Sequence, residues 1–345
     1  MNKKNLLYIF LFYLICFSAN SQLVTSQLNR YAASFSVKSF PASPLLVSNF
    51  DSSLNHFRDV DTGFFGNTIL SAQFRFPLYT KKLEPDEKGR IEMFGVNASA
   101  GAGLQVLNLS WLKNVTNIIN ANFLLSAYHY DGEKSLWTGS AGLFASNDYY
   151  SIGNPVPRFV GSLIYNRLTS QRISYNAGLL YNYYFGKGSL YPLLGVRFSI
   201  WKKGLFILQY PNQLAYLHNI NNSTSVKLFL RPAGSVATMD NRFRDLNSSI
   251  NQVVLRNPQT ELGISFRKIL KGKFLFFAET GILGGRNLYI SLRSSGDDTY
   301  DYTKVKIQDS YFVNAGFVFY KNRHKRRIND QMPAILPEDW STLDF

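Results

Sequence analysis

Seven charged residues occupy positions that alternate with apolar or aromatic neighbours, as they would on the inner face of a curved β-sheet. They are Arg75, Arg197, Lys227, Arg231, Glu261, Arg267 and Glu279. Charges enclosed by a barrel must be paired or hydrated. They therefore predict either a salt-bridge network that fills a narrow lumen or an anion-preferring pore or binding pocket. The second reading rests on the excess of basic residues, five against two acidic ones.

Residues suited to catalysis or metal binding are sparse. The only cysteine, Cys16, lies in a predicted signal peptide, so the mature chain has no thiol for catalysis, disulfides or metal binding. His129 and Asp131 lie near a predicted strand end, but no second carboxylate pair accompanies them. No metal-ligand spacing appears, and the glycines of 281–285 lack the context of a phosphate loop. We therefore expect no enzyme activity and no cofactor.

The segment 173–185 shows which kind of element positions the charged residues. One parity of this segment is apolar and aromatic, whereas most of the other is small and polar. Successive side chains of a strand point to opposite faces, so the two faces differ sharply. The length suits a tilted strand that crosses a bilayer. We predict that Tyr175, Tyr181 and Tyr183 face lipid. The predicted lumen-facing residues are Ser174, Asn176, Gly178 and Asn182.

The same alternation recurs along the chain. It is clear at 94–105, 119–127, 194–200, 261–267 and 274–282. It is weaker in six segments, which are 29–38, 70–78, 136–145, 158–167, 205–218 and 225–233. With Gly, Asn and charges on the inner parity, the pattern favours a membrane barrel over a soluble sandwich. Long polar stretches at 235–251 and 293–308 read as loops.

The fold predicted from these segments is an all-β, transmembrane, antiparallel up-and-down β-barrel. The segments 173–185 and 311–320 bring the candidates to thirteen. Because termini that share one side of the membrane require an even number, we predict about 12 strands, with 14 as the alternative. Residues 40–67, rich in Pro, Ser and Asp, either hide a strand or form a plug-like loop.

The N-terminus has the features of an export signal. Lys3 and Lys4 precede the apolar run 6–17, and small residues at Ala19 and Ser21 suit a signal peptidase. Twelve apolar residues are too few for a spanning helix, so residues 1–21 are expected to be cleaved. High aromatic content (15%) with few charges (17%) is also typical of a barrel. We therefore predict the outer membrane of a Gram-negative cell as the location.

The C-terminal region divides at residue 320. The strand 311–320 carries alternating aromatics and resembles the C-terminal assembly signal of outer-membrane barrels, which implies the barrel-assembly machinery as a partner. The barrel would then span 22–320, followed by a periplasmic tail, 321–345. The tail begins with a basic patch formed by Lys321, Arg323, Lys325, Arg326 and Arg327. The patch reads either as a solvated stop segment or as a contact for an anionic partner or lipid headgroup.

The net charge of +15 also bears on partners. In a soluble protein it would suggest nucleic acid, but export argues against that. Outer-membrane lipid, the phosphates of lipopolysaccharide and a small anionic solute in the lumen are the more sensible counter-charges.

These features together resemble an uncharacterised family of outer-membrane β-barrels, a domain of unknown function typical of Bacteroidota. The residues that carry the resemblance are Asn20-Ser21-Gln22, 190–196, Trp201, Pro211, Glu261-Leu262-Gly263 and 311–320. The resemblance covers most of the mature chain. It implies the barrel fold and brings no functional residues with it.

The function predicted from the sequence is a passive channel or transporter for a small solute, anionic if the basic residues line its path. The alternative is a structural or interaction barrel that binds a partner through its outer loops or its periplasmic tail. An outer-membrane enzyme is the least favoured of the three, and it would depend on His129.

Overall fold

The computed structural model describes thirteen stretches of the chain. They are residues 31–46, 63–84, 87, 92–109, 116–148, 156–170, 173–182, 188–200, 203–221, 223–240, 250–270, 274–294 and 301–321. Within these stretches no helix is long and apolar enough to cross a membrane. The predicted signal peptide, and the basic tail beyond Lys321, lie outside the described residues.

Sixteen strands account for nearly all of the described chain. They are β1 (Tyr31–Leu46), β2 (Phe64–Lys82), β3 (Met93–Leu109), β4 (Thr116–Tyr130), β5 (Ser135–Asp148), β6 (Arg158–Ser170), β7 (Ile173–Asn182), β8 (Ser189–Ile200), β9 (Gly204–Tyr210), β10 (Gln213–Asn221), β11 (Thr224–Asp240), β12 (Ile250–Leu270), β13 (Phe274–Gly284), β14 (Asn287–Ser294), β15 (Asp301–Ile307) and β16 (Ser310–Lys321).

The strands close into an antiparallel barrel with fourteen strand positions around its circumference. Strands β1 to β13 pair in sequence, β13 pairs with β16, and β16 returns to β1 between the pairs Tyr31–Lys321 and Ser39–Val313. Strand β14 continues β13 along the edge of β12, and β15 continues into β16. Each of these two pairs is therefore one interrupted strand and occupies a single position in the barrel. The predicted barrel is confirmed. We call the end that holds Tyr31 and Lys321 the terminal end, and the opposite end the loop end.

The strand number is the alternative of 14, not the preferred 12. One candidate segment, 205–218, is two strands, β9 and β10, which turn at Pro211-Asn212. The prediction joined the two strands because apolar residues lie on both sides of the short stretch 209–213. Residues 40–46 extend β1 and residues 64–67 begin β2, whereas 47–62 lie outside the described residues. The polar stretches 235–251 and 293–308 also contribute strand residues, at the ends of β11, β12 and β14 and in β15.

The two faces of the barrel divide as the alternation predicts. Leu179, Leu194 and Tyr175 are exposed on the outer face, while Asn176 and Asn182 are buried on the inner face. Tyr183 lies outside the described residues. An apolar exterior around a polar interior is the arrangement of outer-membrane barrels and the reverse of a soluble protein.

The barrel narrows toward the loop end. Strand β11 pairs with β12 along its whole length, but it pairs with β10 only as far as Leu230. Beyond Leu230 its other neighbour is β5, which it meets in parallel at Thr238 and Asn147. Strands β6 to β10 therefore do not form part of the barrel wall at this level. Nine strands surround this narrow part, and eight of them contribute to an apolar core inside it, which we call the loop-end core. Its members are Leu45, Phe65, Leu107, Ile118, Ala237, Met239, Val253, Leu255, Leu288, Ile290, Val305 and Ile307.

Three interruptions mark the base of the loop-end core. A bulge in β1 between Phe40 and Ser43 shifts the register of its pairing with β2. Both interrupted strands, β13–β14 and β15–β16, break at the same level along the barrel axis. The guanidinium of Arg286 ties the breaks together, because its Nη1 donates to Ser43 Oγ at 2.7 Å and to the carbonyl oxygen of Gln308 at 2.9 Å. Gly285 precedes it with φ of 64°, a left-handed conformation that favours glycine. Arg286 thus holds β1 next to both interrupted strands.

Candidate functional site

A layer of polar side chains lies directly beneath the loop-end core. Asn67, Gln105, Ser235 and Asn257 each stand two residues from a core member on the same strand, so they point inward as well. Gln105 Nε2 donates to Ser235 Oγ at 3.3 Å, which joins β3 to β11 across the lumen. Ser235 and Asn257 are register partners on β11 and β12. We call these four residues, together with Gln259, the amide layer.

A charged cluster follows below the amide layer, on the wall formed by β11, β12, β13, β16 and β1. Glu261 is fully buried, and its carboxylate contacts Lys38 Nζ at 2.5 Å and Arg231 Nε at 2.8 Å. Arg231 also contacts Glu279 Oε2 at 2.9 Å through Nη2. One guanidinium therefore bridges two carboxylates, and three strands are joined through it.

Two further residues complete the charged cluster. Asn314 Nδ2 donates to Glu279 Oε2 at 3.0 Å, and Arg267 Nη2 lies 3.9 Å from Glu279 Oε1. Arg231 stacks over the ring of Phe229 with 4.4 Å to the centroid, a favourable cation–π geometry. The cluster, defined as Lys38, Arg231, Glu261, Arg267, Glu279 and Asn314, carries three basic and two acidic groups. It keeps one positive charge in excess.

The opposite wall, formed by β2 to β5, carries mainly small residues, although Arg75, Leu124 and Phe144 also line it. Gly103, Ser99, Ser71 and Asn122 face the lumen from this wall. A Cβ on Gly103 would lie 2.9 Å from the carbonyl oxygen of Leu70, so the two strands approach too closely for a larger residue. Small side chains here leave space that the bulky charged wall does not fill.

A cavity of about 220 Å³ lies between the two walls. Its lining reaches from Ala32 near the terminal end to Ser235 and Asn257 under the loop-end core. Arg75, Arg231 and Arg267 contribute to it, as do Glu261 and Glu279. The cavity therefore combines a basic side, an uncharged amide end and a wall of hydroxyl and amide groups. Such a lining can hold a small polar anion.

The structure places the seven charged residues singled out in the sequence as follows. Arg231, Glu261, Arg267 and Glu279 belong to the charged cluster, and Arg75 lines the same cavity. Lys227 is buried beside them, with its Nζ 5.5 Å from the centroid of Phe229. Arg197 lies apart from the cavity lining, on β8.

Sequence reasoning missed Lys38 as a site residue. Its position shares parity with Ser34 and Ser36 and alternates with exposed Phe35 and Val37, so parity alone could have assigned it to the lumen. Asn314 had the inward parity too, although nothing in the sequence indicated its contact with Glu279. The basic patch contributes only Lys321 to the described chain, at the end of β16, and Arg323, Lys325, Arg326 and Arg327 lie outside it.

His129 and Asp131 play separate parts at the terminal end. His129 Nε2 lies 3.5 Å from Glu92 Oε2, and both side chains are about half exposed. The Asp131 carboxylate organises the β4–β5 turn by accepting from the backbone N–H groups of Glu133, Lys134 and Ser135, each at 2.9 Å. Partial burial raises the pKa of Asp131, but the hydrogen bonds from Ser135 and Glu133 outweigh it and hold the pKa below 3.8.

No group of three or more His, Cys, Asp or Glu side chains within the described chain could hold a metal ion. The charged cluster contains only two carboxylates, and each already contacts basic side chains. The arrangement thus suits recognition of an anion rather than of a cation.

The family model described as "Domain of unknown function (DUF6268)" matches residues 24–320. No protein with a curated description matches the sequence. The solved structures with a similar fold include the following three, all at low identity. The transport unit of the autotransporter AIDA-I from Escherichia coli is 11% identical, covers 89% of this chain and 94% of its own, and has a TM-score of 0.27.

The beta domain of the Bordetella autotransporter BrkA is 11% identical, with 85% of this chain and 99% of its own covered and a TM-score of 0.27. The outer membrane protease OmpT from Escherichia coli is 10% identical, with 89% and 100% covered and a TM-score of 0.24. At this similarity the likenesses carry no argument about function.

Proposed function

The chain belongs to the DUF6268 family, matched over residues 24–320, and we propose that it is an outer-membrane β-barrel whose lumen binds a small anionic solute. The single observation that carries the proposal is the cavity of about 220 Å³ bounded by Arg75, Arg231 and Arg267. Around the cavity, basic groups outnumber the carboxylates of Glu261 and Glu279 once Lys38 is included. A dissolved anion would find both charge complementarity and hydrogen-bond partners there.

The apolar exterior supports the membrane part of the proposal. Exposed Leu, Val and Phe side chains recur on the outer parity of most strands, which in water would be a large unfavourable surface. Together with the predicted export signal, such an exterior supports the outer membrane as the environment of the barrel. The terminal end would then face the periplasm, where the short turn at Asp131 lies.

The loop-end core argues for a lumen that is closed at rest. Twelve buried apolar side chains fill the narrow part of the barrel, and apolar constrictions exclude water. Solute would then enter the cavity from the terminal end. Transport across the membrane would require the loop-end core to open, whereas binding alone would not.

A passive channel for small anions is the second candidate function. The observation that favours it is the extent of the cavity lining along the lumen, from Ala32 to Asn257. A conducting channel and a closed binding barrel share the same basic lining, so conductance distinguishes them.

We also infer that the protein is not an enzyme. This inference is supported by the separate contacts of His129 and Asp131, since His129 lies against Glu92 and Asp131 organises a turn. A replacement of His129 by alanine should leave any measured function of the barrel unchanged.

The test of the proposed function uses the folded barrel without its signal. Binding of inorganic phosphate, succinate and gluconate is measured by calorimetry, and conductance is measured in planar bilayers. We expect at least one anion to bind and the bilayers to remain silent. A steady, anion-selective conductance would favour the passive channel instead, and an absence of binding by every anion would overturn the proposal.

A further inference from the structure

We infer that the amide layer is a subsite for hydroxyl groups, so that the solute is a small polyhydroxylated carboxylate such as a sugar acid; this rests on the proposed function of the lumen. The inference begins with three buried carbonyl oxygens that face the cavity. Asn67 Oδ1, Asn257 Oδ1 and Gln259 Oε1 lack a hydrogen-bond partner within the described chain.

These three side chains are at most 5% exposed. A buried polar atom without a partner costs free energy, so native proteins satisfy almost all of them. Three such acceptors on one cavity end therefore indicate a bound group that donates. The layer is held in place by its neighbours, because Gln105 and Ser235 are joined across the lumen and Ser235 faces Asn257 in register.

The chemistry of the amide layer differs from that of the charged cluster. A carboxylate only accepts hydrogen bonds, so it cannot satisfy a carbonyl oxygen. A hydroxyl both donates and accepts, and it can therefore satisfy a side-chain amide through either its oxygen or its NH₂ group. The basic side of the cavity, with Arg75, Arg231 and Arg267, suits a carboxylate. One end of the ligand would carry hydroxyls, and the other would carry the negative charge.

The cavity volume of about 220 Å³ suits a ligand of about the size of a monosaccharide. This volume is below the range of roughly 300–1,000 Å³ typical of sites for drug-sized ligands. The loop-end core closes the space above the amide layer, so a longer ligand could extend only toward the terminal end.

The test compares three six-carbon probes on the folded barrel. Gluconate has both the carboxylate and the hydroxyls, hexanoate has only the carboxylate, and sorbitol has only the hydroxyls. We expect gluconate to bind at least tenfold more tightly than either of the others. Equal binding of hexanoate would overturn the hydroxyl subsite while the proposed anion binding stands. Equal binding of sorbitol would overturn the sugar-acid assignment. No binding by any of the three probes would overturn the inference, and the proposed function would fall with it only if phosphate and succinate did not bind either.

A pair of matched variants locates the effect. Asn257→Leu removes one unpartnered amide from the cavity, and we expect roughly a 5- to 10-fold loss of gluconate affinity with hexanoate binding unchanged. Asn176→Leu is the control, because Asn176 is a buried lumen amide with an unpartnered Oδ1 that does not line this cavity. Equal losses in both variants would contradict the subsite. If Asn257→Leu does not fold, Gln259→Leu tests the same layer.

Discussion

The loop-end core and the lumen cavity share six strands, β1 to β4, β11 and β12, and on several of them the two regions lie only two residues apart. On β12 the inward residues pass from Leu255 to Asn257, Gln259 and Glu261. On β11 they pass from Ala237 to Ser235 and then to Arg231 in the same direction. The inner face of one barrel is therefore layered along its axis, from apolar through amide to charged. The lumen is thus closed at the loop end by inward side chains of the barrel strands themselves.

The two regions contribute to the protein in opposite ways. Burial of the loop-end core stabilises the fold by roughly 25 cal/mol for each Å² of apolar surface removed from water. The charged cluster must first overcome the desolvation of Glu261, Glu279 and their basic partners, so its contribution to stability is small. Its role is to fix a specific arrangement of charge beside the cavity.

An Asp substitution in the loop-end core and another beside the cavity should give the largest difference in the free energy of unfolding. Leu255→Asp puts an unpaired carboxylate into the loop-end core, and we expect the free energy of unfolding to fall by about 4–5 kcal/mol. Gln259→Asp puts the carboxylate on the same strand, opposite Ala233 and two residues from the level of Arg231, where we expect a loss of about 1 kcal/mol. Urea unfolding of the two variants measures the difference. Equal losses would contradict the layered interior.

Removal of one charge should test how far the charged cluster depends on pairing. Glu261→Gln leaves Lys38 and Arg231 without their shared carboxylate, so we expect a loss of about 3–4 kcal/mol in unfolding free energy. Glu92→Gln is the control on the half-exposed pair with His129, where we expect less than about 1 kcal/mol. If Glu261→Gln changes the free energy of unfolding only slightly, the prediction is wrong, because Lys38 and Arg231 would then be hydrated in the lumen as they are in bulk water.

Filling the cavity should affect binding and leave the fold nearly unchanged. Ser71→Phe occupies the space between the two walls, and we expect at least a tenfold loss of anion affinity with about 1 kcal/mol change in stability. Leu70→Phe is the matched control, since Leu70 is exposed on the outer face of the same strand. Calorimetry and urea unfolding report the two effects. Unaltered affinity in Ser71→Phe would place the anion elsewhere.

The smallest effect is expected at the terminal end, outside both regions. Because the pKa of Asp131 lies below 3.8 in the folded protein, its contribution to stability is present above pH 3.8 and is lost as the pH falls through the folded pKa. Asp131→Ala removes three backbone hydrogen bonds and should cost about 1 kcal/mol at pH 7. The difference from wild type should shrink below about pH 4. A difference that is constant with pH would contradict the role of the carboxylate in the turn.

Much of the barrel follows from local alternation. Positions such as Leu179 and Asn176 could be assigned to opposite faces because strand geometry alone determines them. The turn at Pro211-Asn212 was missed because apolar residues continue on both sides of it. Parity placed Glu261 and Arg231 in the lumen, and their contact followed from register, which the sequence does not reveal.

The loop-end core could not be predicted for a different reason. Leu107, Ile118 and Leu255 lie just outside the alternating segments 94–105, 119–127 and 261–267 from which the strands were predicted. Their contact depends on β11 leaving β10 and meeting β5, a long-range pairing at Thr238 and Asn147. The amide layer depends on the same pairing, since Gln105 reaches Ser235 only across the narrowed lumen.

Thiol accessibility tests the layered interior most directly, because Cys16 is the only natural cysteine and lies in the predicted signal peptide. Ser71→Cys places a single thiol in the cavity, and Leu255→Cys places one in the loop-end core. We predict that a small anionic thiol reagent modifies the folded Ser71→Cys barrel rapidly and leaves Leu255→Cys unmodified until urea unfolds it. Comparable rates at the two positions in the folded barrel would contradict a cavity closed by an apolar core.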